Sequence, residues 1–210
     1  MSQVENKVAE KLLSIKAVKV QPQDPFTWAS GWKSPIYCDN RKTLSYPEIR
    51  SLIKNELAEI VRQKYANADV IAGVATCAIA QGALVAEVLG KPFVYVRSSP
   101  KDHGLENLIE GDLKAGQKVV VIEDLISTGG SSLKAVGALR NAGAEVLGMV
   151  AIFTYGFPVA SEKFAEAKVE LTTLSNYNAV LQHLLDTKQI GSAEMETLKK
   201  WREAPEVWGK

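Results

Sequence analysis

The sequence contains few cysteines, the residues whose disulfides or bound metals stabilise many small or extracellular folds. It has two cysteines, Cys38 and Cys77, in 210 residues, and they do not form the C-x-x-C spacing of a metal site. A chain of this length can bury a full core without disulfides or a structural metal. The two cysteines are therefore expected to be reduced thiols in a cytoplasmic protein.

Long hydrophobic runs and an excess of charge of either sign are also missing. The longest apolar stretches, such as Val146 to Phe153, are too short to cross a bilayer. The first residues lack the basic and apolar regions of a signal peptide. Lys and Arg number 25 and Asp and Glu number 24, so the net charge is +1. These features predict a soluble cytoplasmic protein with neither a membrane nor a nucleic acid as partner.

Runs rich in Val and Ile alternate with amphipathic segments along most of the chain. Strands are predicted at 70–72, 93–96, 119–122, 146–154 and 169–174, and helices at 4–15, 47–61, 79–89 and 131–141. Such alternation is typical of a parallel sheet covered on both faces. We predict one α/β domain over residues 1–210, with a core at about 47–175 and C-terminal helices at about 176–204. Residues 18–45, rich in aromatics, Gly, Pro and Ser, are predicted to form a small lobe of short strands.

The most informative segment is 119–132, where a Val/Ile strand leads into Glu123 and Asp124 and then into a turn of hydroxyl residues and glycines. Glycines let the backbone approach a phosphate, and N–H groups at a helix N-terminus attract the anion. Two carboxylates at a strand end can accept hydrogen bonds from two ribose hydroxyls. A simple helix cap needs only one such residue, and the segment matches neither common nucleotide-binding glycine motif. It therefore predicts a sugar-phosphate site.

Two further segments carry candidate chemistry. The polar stretch between Val96 and Lys118 is long for a loop inside a compact domain, which is typical of a lid or binding loop. Its cations could stabilise a departing polyanion, although their spacing alone fits a solvated loop equally well. The segment from Ser30 to Asp39 offers a cation, Lys33, and an aromatic ring, Tyr37, which suit a flat anionic base. By itself, this segment fits a surface turn better.

Taken together and in this order, the three segments resemble the orotate phosphoribosyltransferases, which belong to the type I phosphoribosyltransferases. Residues 123–132 resemble the phosphoribosyl pyrophosphate signature of type I enzymes. The sequence Lys101-Asp102-His103-Gly104, preceded by Arg97, resembles the flexible catalytic loop of the orotate enzymes, and Gly31 to Tyr37 resembles their hood segment. The resemblance implies a central, mostly parallel sheet flanked by helices, with an N-terminal hood at 18–45.

The same resemblance implies an activity. Ribose 5-phosphate would pass from phosphoribosyl pyrophosphate to orotate, giving orotidine 5-phosphate and pyrophosphate, in de novo pyrimidine biosynthesis. Mg²⁺ would be bound mainly through substrate pyrophosphate and ribose oxygens, with no dedicated metal site on the protein. The enzyme would be a homodimer with shared active sites.

Roles for single residues also follow from the resemblance. The residues implied to be catalytic are Arg97, Lys101, His103 and Asp124. Those implied to bind phosphoribosyl pyrophosphate are Arg97, Lys101, His103, Glu123, Asp124, Leu125, Ile126, Ser127, Thr128, Gly129, Gly130 and Ser131. Those implied to bind orotate are Ser127, Lys33 and Tyr37.

Three positions depart from the pattern of the family. Ser98 stands where many members have a second basic residue, the loop from Gly73 to Ala78 has no lysine, and the stretch from Thr154 to Phe157 has no arginine. These departures leave the details of anion binding open. Two alternatives also stay open: a purine acceptor, which would need neither the hood segment nor the loop, and a DNA-binding regulator, which would need a basic face.

Overall fold

The structure, a computed structural model, describes residues 2–28, 31–99 and 108–208. A six-stranded sheet forms its centre, built from β5 (Val70–Val74), β6 (Phe93–Val96), β7 (Ile109–Glu110), β8 (Lys118–Ile126), β9 (Glu145–Thr154) and β10 (Leu171–Asn176). The strand order is β10-β9-β8-β5-β6-β7, and only the β6–β7 pair among these is antiparallel. The predicted mostly parallel sheet is thus confirmed.

Seven helices cover the two faces of this sheet within the described ranges. They are α1 (Gln3–Ser14), α2 (Pro47–Lys64), α3 (Ile79–Leu89), α4 (Gly130–Asn141), α5 (Pro158–Glu166), α6 (Tyr177–Asp186) and α7 (Ser192–Glu203). Alternate residues of β8 point to opposite faces, as a strand requires. Val120 and Ile122 pack in a cluster with residues of α1, α2 and α6, whereas Val119 and Val121 pack with residues of α4 and α5.

The N-terminal lobe consists of short strands and a 3-10 helix. The strands are β1 (Val18–Val20), β2 (Phe26–Thr27), β3 (Lys33–Ser34) and β4 (Ile36–Cys38), and the 3-10 helix is η1 (Asn40–Ser45). β1 pairs with β4, and β2 pairs with β3, both antiparallel. We call residues 18–45 the hood, as the sequence predicts a lobe there.

Several predicted boundaries are wrong, for identifiable reasons. β8 does not stop at Ile122 but continues through both acids to Ile126, because β9 pairs with it that far. The segment predicted as one long loop contains β7, which adds to the edge of the sheet beside β6. The last strand, β10, begins and ends two residues later than the prediction of 169–174.

α5 was not predicted at all. Its apolar pattern is confined to nine residues, in which Ala160 and Phe164 are the buried positions. Among the described residues, no helix has both the length and the apolar content needed to cross a bilayer.

Candidate functional site

The parallel strands β5, β8 and β9 end at one edge of the sheet, and the hood contacts that edge. The side-chain amide of Asn40, at the start of η1, donates a hydrogen bond to the carbonyl oxygen of Asp124 at 2.6 Å. Asn40 is buried, and the Cys38 thiol donates to its side-chain oxygen at 3.3 Å. The hood is therefore fastened to β8 at the position of the two acids.

The two adjacent acids have different surroundings. Glu123 is only 5% exposed. One of its carboxylate oxygens accepts the Asp124 backbone N–H at 2.9 Å, and the other accepts the Ser132 hydroxyl at 2.8 Å. Burial, followed by the charge of Asp124, raises the pKa of Glu123 to about 8. Glu123 thus links the end of β8 to the first turn of α4.

Asp124 is less deeply buried and faces several polar groups. Burial raises the pKa of its carboxyl above the ordinary value, while the positive charge of Arg41 opposes this rise. Arg41 lies on the hood, where its Nε pairs with the Asp39 carboxylate at 2.6 Å. Burial and then the charge of Asp124 raise the pKa of the Cys77 thiol, in the loop after β5. Asp124 therefore lies near both Arg41 of the hood and Cys77 of the loop after β5.

The loop after β8 turns sharply into α4. Gly129 has φ of 77°, and a Cβ there would lie 2.9 Å from the Phe164 ring. Glycine is therefore required both by the backbone conformation and by the close approach of α5. No described side chain caps the N-terminus of α4, and Ser131 is exposed. This combination leaves backbone N–H groups and a hydroxyl available to an anion.

Arg97 shares a cavity with the start of α4. The cavity has a volume of about 580 Å³ and is lined by Arg97, Ser98, Gly130, Ser131, Lys134 and apolar neighbours that include Val74 and Ala75. The Arg97 guanidinium pairs with Glu110 at 3.3 Å and remains partly exposed. The structure thus brings Arg97 together with two predicted phosphate-loop residues. Lys101 and His103 lie outside the described residues.

The predicted base-binding residues of the hood lie on its short strands. Lys33 is exposed on β3, and its ammonium donates to the Thr27 hydroxyl at 2.9 Å. The Tyr37 ring is 40% exposed and lies 5.6 Å from the Phe26 ring, centre to centre. Within the described residues, no hydrogen bond joins either side chain to Ser127.

Sequence reasoning missed other polar residues at this site. Asn40 and Arg41 directly follow the hood segment, and Lys134 lies one turn into α4. The signal for Asn40 and Arg41 was available, because a run of polar residues directly follows a short strand there. Lys134 gave no such signal, since an exposed lysine on a helix is ordinary.

The chain is similar in sequence and in fold to known proteins. A family model described as "Phosphoribosyl transferase domain" matches residues 43–180. An orotate phosphoribosyltransferase of Porphyromonas gingivalis is 64% identical over 96% of this chain and 96% of its own length. One from Listeria innocua is 55% identical over 99% of both chains. The crystal structure of the Aeropyrum pernix enzyme of the same name has a TM-score of 0.76 and 30% identity, over 88% of this chain and 99% of its own.

Proposed function

Because this chain belongs to the orotate phosphoribosyltransferases, we propose that it transfers ribose 5-phosphate from phosphoribosyl pyrophosphate to orotate. In this reaction the bond from ribose C1 to a pyrophosphate oxygen breaks, and pyrophosphate leaves with the electron pair. A bond from C1 to a ring nitrogen of orotate forms, and the proton of that nitrogen is released. The observation that carries the proposal is the pair of acids near the end of β8, where the hood is hydrogen-bonded to the Asp124 carbonyl and the glycine loop before α4 follows directly.

Asp124 and Glu123 are proposed to bind the ribose hydroxyls, and residues 125–131 the 5-phosphate. Asp124 suits this role because its carboxyl is partly accessible at the sheet edge. Glu123 has less freedom, since its oxygens already accept two hydrogen bonds. Carboxyl oxygens have further lone pairs, so Glu123 can still accept a ribose hydroxyl even when it is protonated. The uncapped start of α4 suits a phosphate because its N–H groups and helix dipole attract an anion.

The leaving pyrophosphate needs cations and a site without water. Arg97 is proposed to supply one positive charge from the cavity that it shares with Ser131 and Lys134. Lys101 and His103 are proposed to supply the others. Fixed cations stabilise the developing negative charge, and exclusion of water protects the electron-poor C1 from hydrolysis.

Orotate is proposed to bind under the hood, against Lys33, Tyr37 and Ser127. Lys33 offers an exposed ammonium for the orotate carboxylate, and Tyr37 offers a partly exposed ring for its planar face. The attachment of the hood to β8 through Asn40 supports this proposal, because it holds the lobe that carries Lys33 and Tyr37 beside the pair of acids.

Mg²⁺ is the proposed cofactor, and the donors present fit it. Asp124 offers carboxylate oxygens, the donor type that Mg²⁺ prefers. Among the described residues, no group of three His, Cys, Asp or Glu side chains is arranged to hold a metal ion. Substrate pyrophosphate and ribose oxygens would therefore supply most of the ligands. Bound there, Mg²⁺ would neutralise part of the charge on the pyrophosphate.

The proposed partners are the two substrates and a second copy of the chain, in a dimer with shared active sites. The proposed location is the cytoplasm, where free thiols such as Cys38 and Cys77 stay reduced.

The test is an assay of the purified chain with phosphoribosyl pyrophosphate, Mg²⁺ and a panel of bases. We expect orotate to be consumed and adenine, hypoxanthine and uracil to be left, because only orotate carries a carboxylate for Lys33. Efficient turnover of a purine with orotate inert would overturn the proposal.

A further inference from the structure

The C-terminal helix α7 is held firmly on the body of the molecule. The Tyr177 hydroxyl, on α6, donates to the carbonyl oxygen of Leu198 at 2.9 Å. Leu198 and Trp201 are both completely buried. The rings of Tyr177 and Trp201 lie 5.4 Å apart. α7 is therefore a fixed support for whatever Trp201 contacts on its other side.

That contact is the hood. The Trp201 indole N–H donates to the carbonyl oxygen of Lys33 at 3.2 Å, and its ring meets Trp28 edge-on at 5.7 Å. The indole N–H of Trp28 in turn donates to the carbonyl oxygen of Ile36 at 3.2 Å. Two tryptophans thus hold the main chains of β3 and β4 against α7.

Lys33 is the residue whose position this arrangement decides. Its backbone is fixed by pairing with Thr27 across the β2–β3 hairpin and by the Trp201 hydrogen bond. Its side chain remains exposed, and the ammonium, which donates one hydrogen bond to the Thr27 hydroxyl, has two further N–H donors for a ligand while the Lys33 backbone is held in place. Because the Lys33 backbone is already fixed before a ligand arrives, binding has to remove less conformational entropy.

The two elements in contact, β3 and α7, lie outside the residues that match the family domain. The matched residues, 43–180, include the sheet and the glycine loop, but neither β3 nor α7. The contact between β3 and α7 can therefore differ among enzymes that share the domain, without disturbing the binding of phosphoribosyl pyrophosphate.

We infer that Trp201 is a positioning residue that fixes the hood strand bearing Lys33 and thereby sets the affinity for the acceptor base. This inference rests on the proposed function, in which Lys33 binds the orotate carboxylate. Trp201 itself touches neither substrate and acts through the backbone of Lys33.

The test compares Trp201→Phe with the wild type in steady-state kinetics. Phenylalanine keeps an aromatic ring in the core but removes the N–H donor. We expect KM for orotate to rise about fivefold, the loss that corresponds to one neutral hydrogen bond. KM for phosphoribosyl pyrophosphate and kcat should stay unchanged. Trp208→Phe is the matched control, because Trp208 packs against the same core without that hydrogen bond, and it should change neither KM.

A double mutant separates positioning from general stabilisation. If Trp201 acts through Lys33, then Trp201→Phe should add no further rise in KM for orotate in a Lys33→Met background. Additive effects, an equal rise in both KM values, or unchanged kinetics would each overturn the inference.

A second variant covers the case in which Trp201→Phe does not fold. Tyr177→Phe removes the hydrogen bond that anchors α7, and it should raise KM for orotate selectively but by less. An unchanged KM in that variant would count against the inference. Failure of the wild type to consume orotate would instead refute the proposed function.

Discussion

The neighbouring carboxyl groups of Glu123 and Asp124, near the end of β8, have different surroundings. Single substitutions should therefore distinguish their roles. Asp124 is partly exposed, whereas Glu123 is buried and hydrogen-bonded to Ser132 of α4. Asp124 should therefore matter for substrate binding and catalysis. Glu123 should in addition determine how the stability of the fold depends on pH.

For Asp124→Asn we expect kcat/KM to fall by about 10- to 100-fold, the loss expected for a hydrogen bond from a ribose hydroxyl to a charged acceptor. The melting temperature should stay within about 2 °C, because asparagine fills the same volume and still accepts a hydrogen bond. Kinetics and thermal unfolding measure the two effects. The exposed Asp112→Asn is the control for losing a carboxylate elsewhere. A sharp drop in melting temperature with full activity would show that Asp124 is structural.

Glu123 should make the folded state less stable as pH rises. Burial and the charge of Asp124 raise its folded pKa to about 8, well above the unfolded value of about 4.3. Between these values the folded chain holds a proton that the unfolded chain has released. The free energy of unfolding therefore decreases with rising pH across this window, and the decrease ends above about pH 8.

The variant Glu123→Gln has no proton to lose, so its stability should decrease less over the same range. Chemical denaturation of both proteins at several pH values between about 5 and 9 measures the difference. Parallel pH profiles would mean that Glu123 is already ionised in the folded protein.

At the scale of elements, the junction between β8 and α4 depends on Gly129. Its positive φ and the 2.9 Å approach to Phe164 both oppose a side chain. Gly129→Ala should lower stability by about 1 to 3 kcal/mol and raise KM for phosphoribosyl pyrophosphate, because the loop must shift.

Gly137→Ala is the matched control in the same helix. A Cβ at Gly137 meets no atom within 4 Å, so alanine should stabilise α4 by up to about 1 kcal/mol. Thermal unfolding and kinetics of the two variants check the pair. Equal effects of both substitutions would contradict the assigned role of Gly129.

The elements that sequence predicted well are those whose signals are local. α3 and β6 have the predicted bounds, and the helix after Gly129 begins one residue from its predicted start. Each of their signals can be recognised from a few consecutive residues: the Val/Ile runs, the glycines that end helices, and the acids followed by the glycine loop.

Contacts between distant parts of the chain could not be predicted in this way. Asn40 and Asp124 are 84 positions apart, and Lys33 and Trp201 are 168 apart. Asparagine and tryptophan occur in many settings, and nothing in their neighbours indicates a partner that far away. The attachment of the hood to β8 and to α7 therefore needed the structure.

At the scale of the whole molecule, affinity for a highly charged substrate does not come from net charge. The chain carries a charge of only +1. Positive charge must be concentrated locally, as it is at Arg97 and Lys134 in one cavity. A partner subunit that brings its Lys101 loop to this site would add to that concentration, which is the physical reason for the shared sites that we propose.

Subunit mixing tests this sharing. As separate proteins, Lys101→Ala should be nearly inactive and Asp124→Asn should keep at most about a tenth of wild-type activity. In a mixed dimer, the Lys101→Ala subunit keeps its own Asp124 and receives the intact loop of its neighbour, so one site is complete while the other carries both defects. Random exchange makes about half of the dimers mixed, and activity should recover to about a quarter of wild type if the sites act independently. A loop that serves its own subunit would leave every site with one defect. Lack of recovery after proven subunit exchange would therefore rule out shared sites.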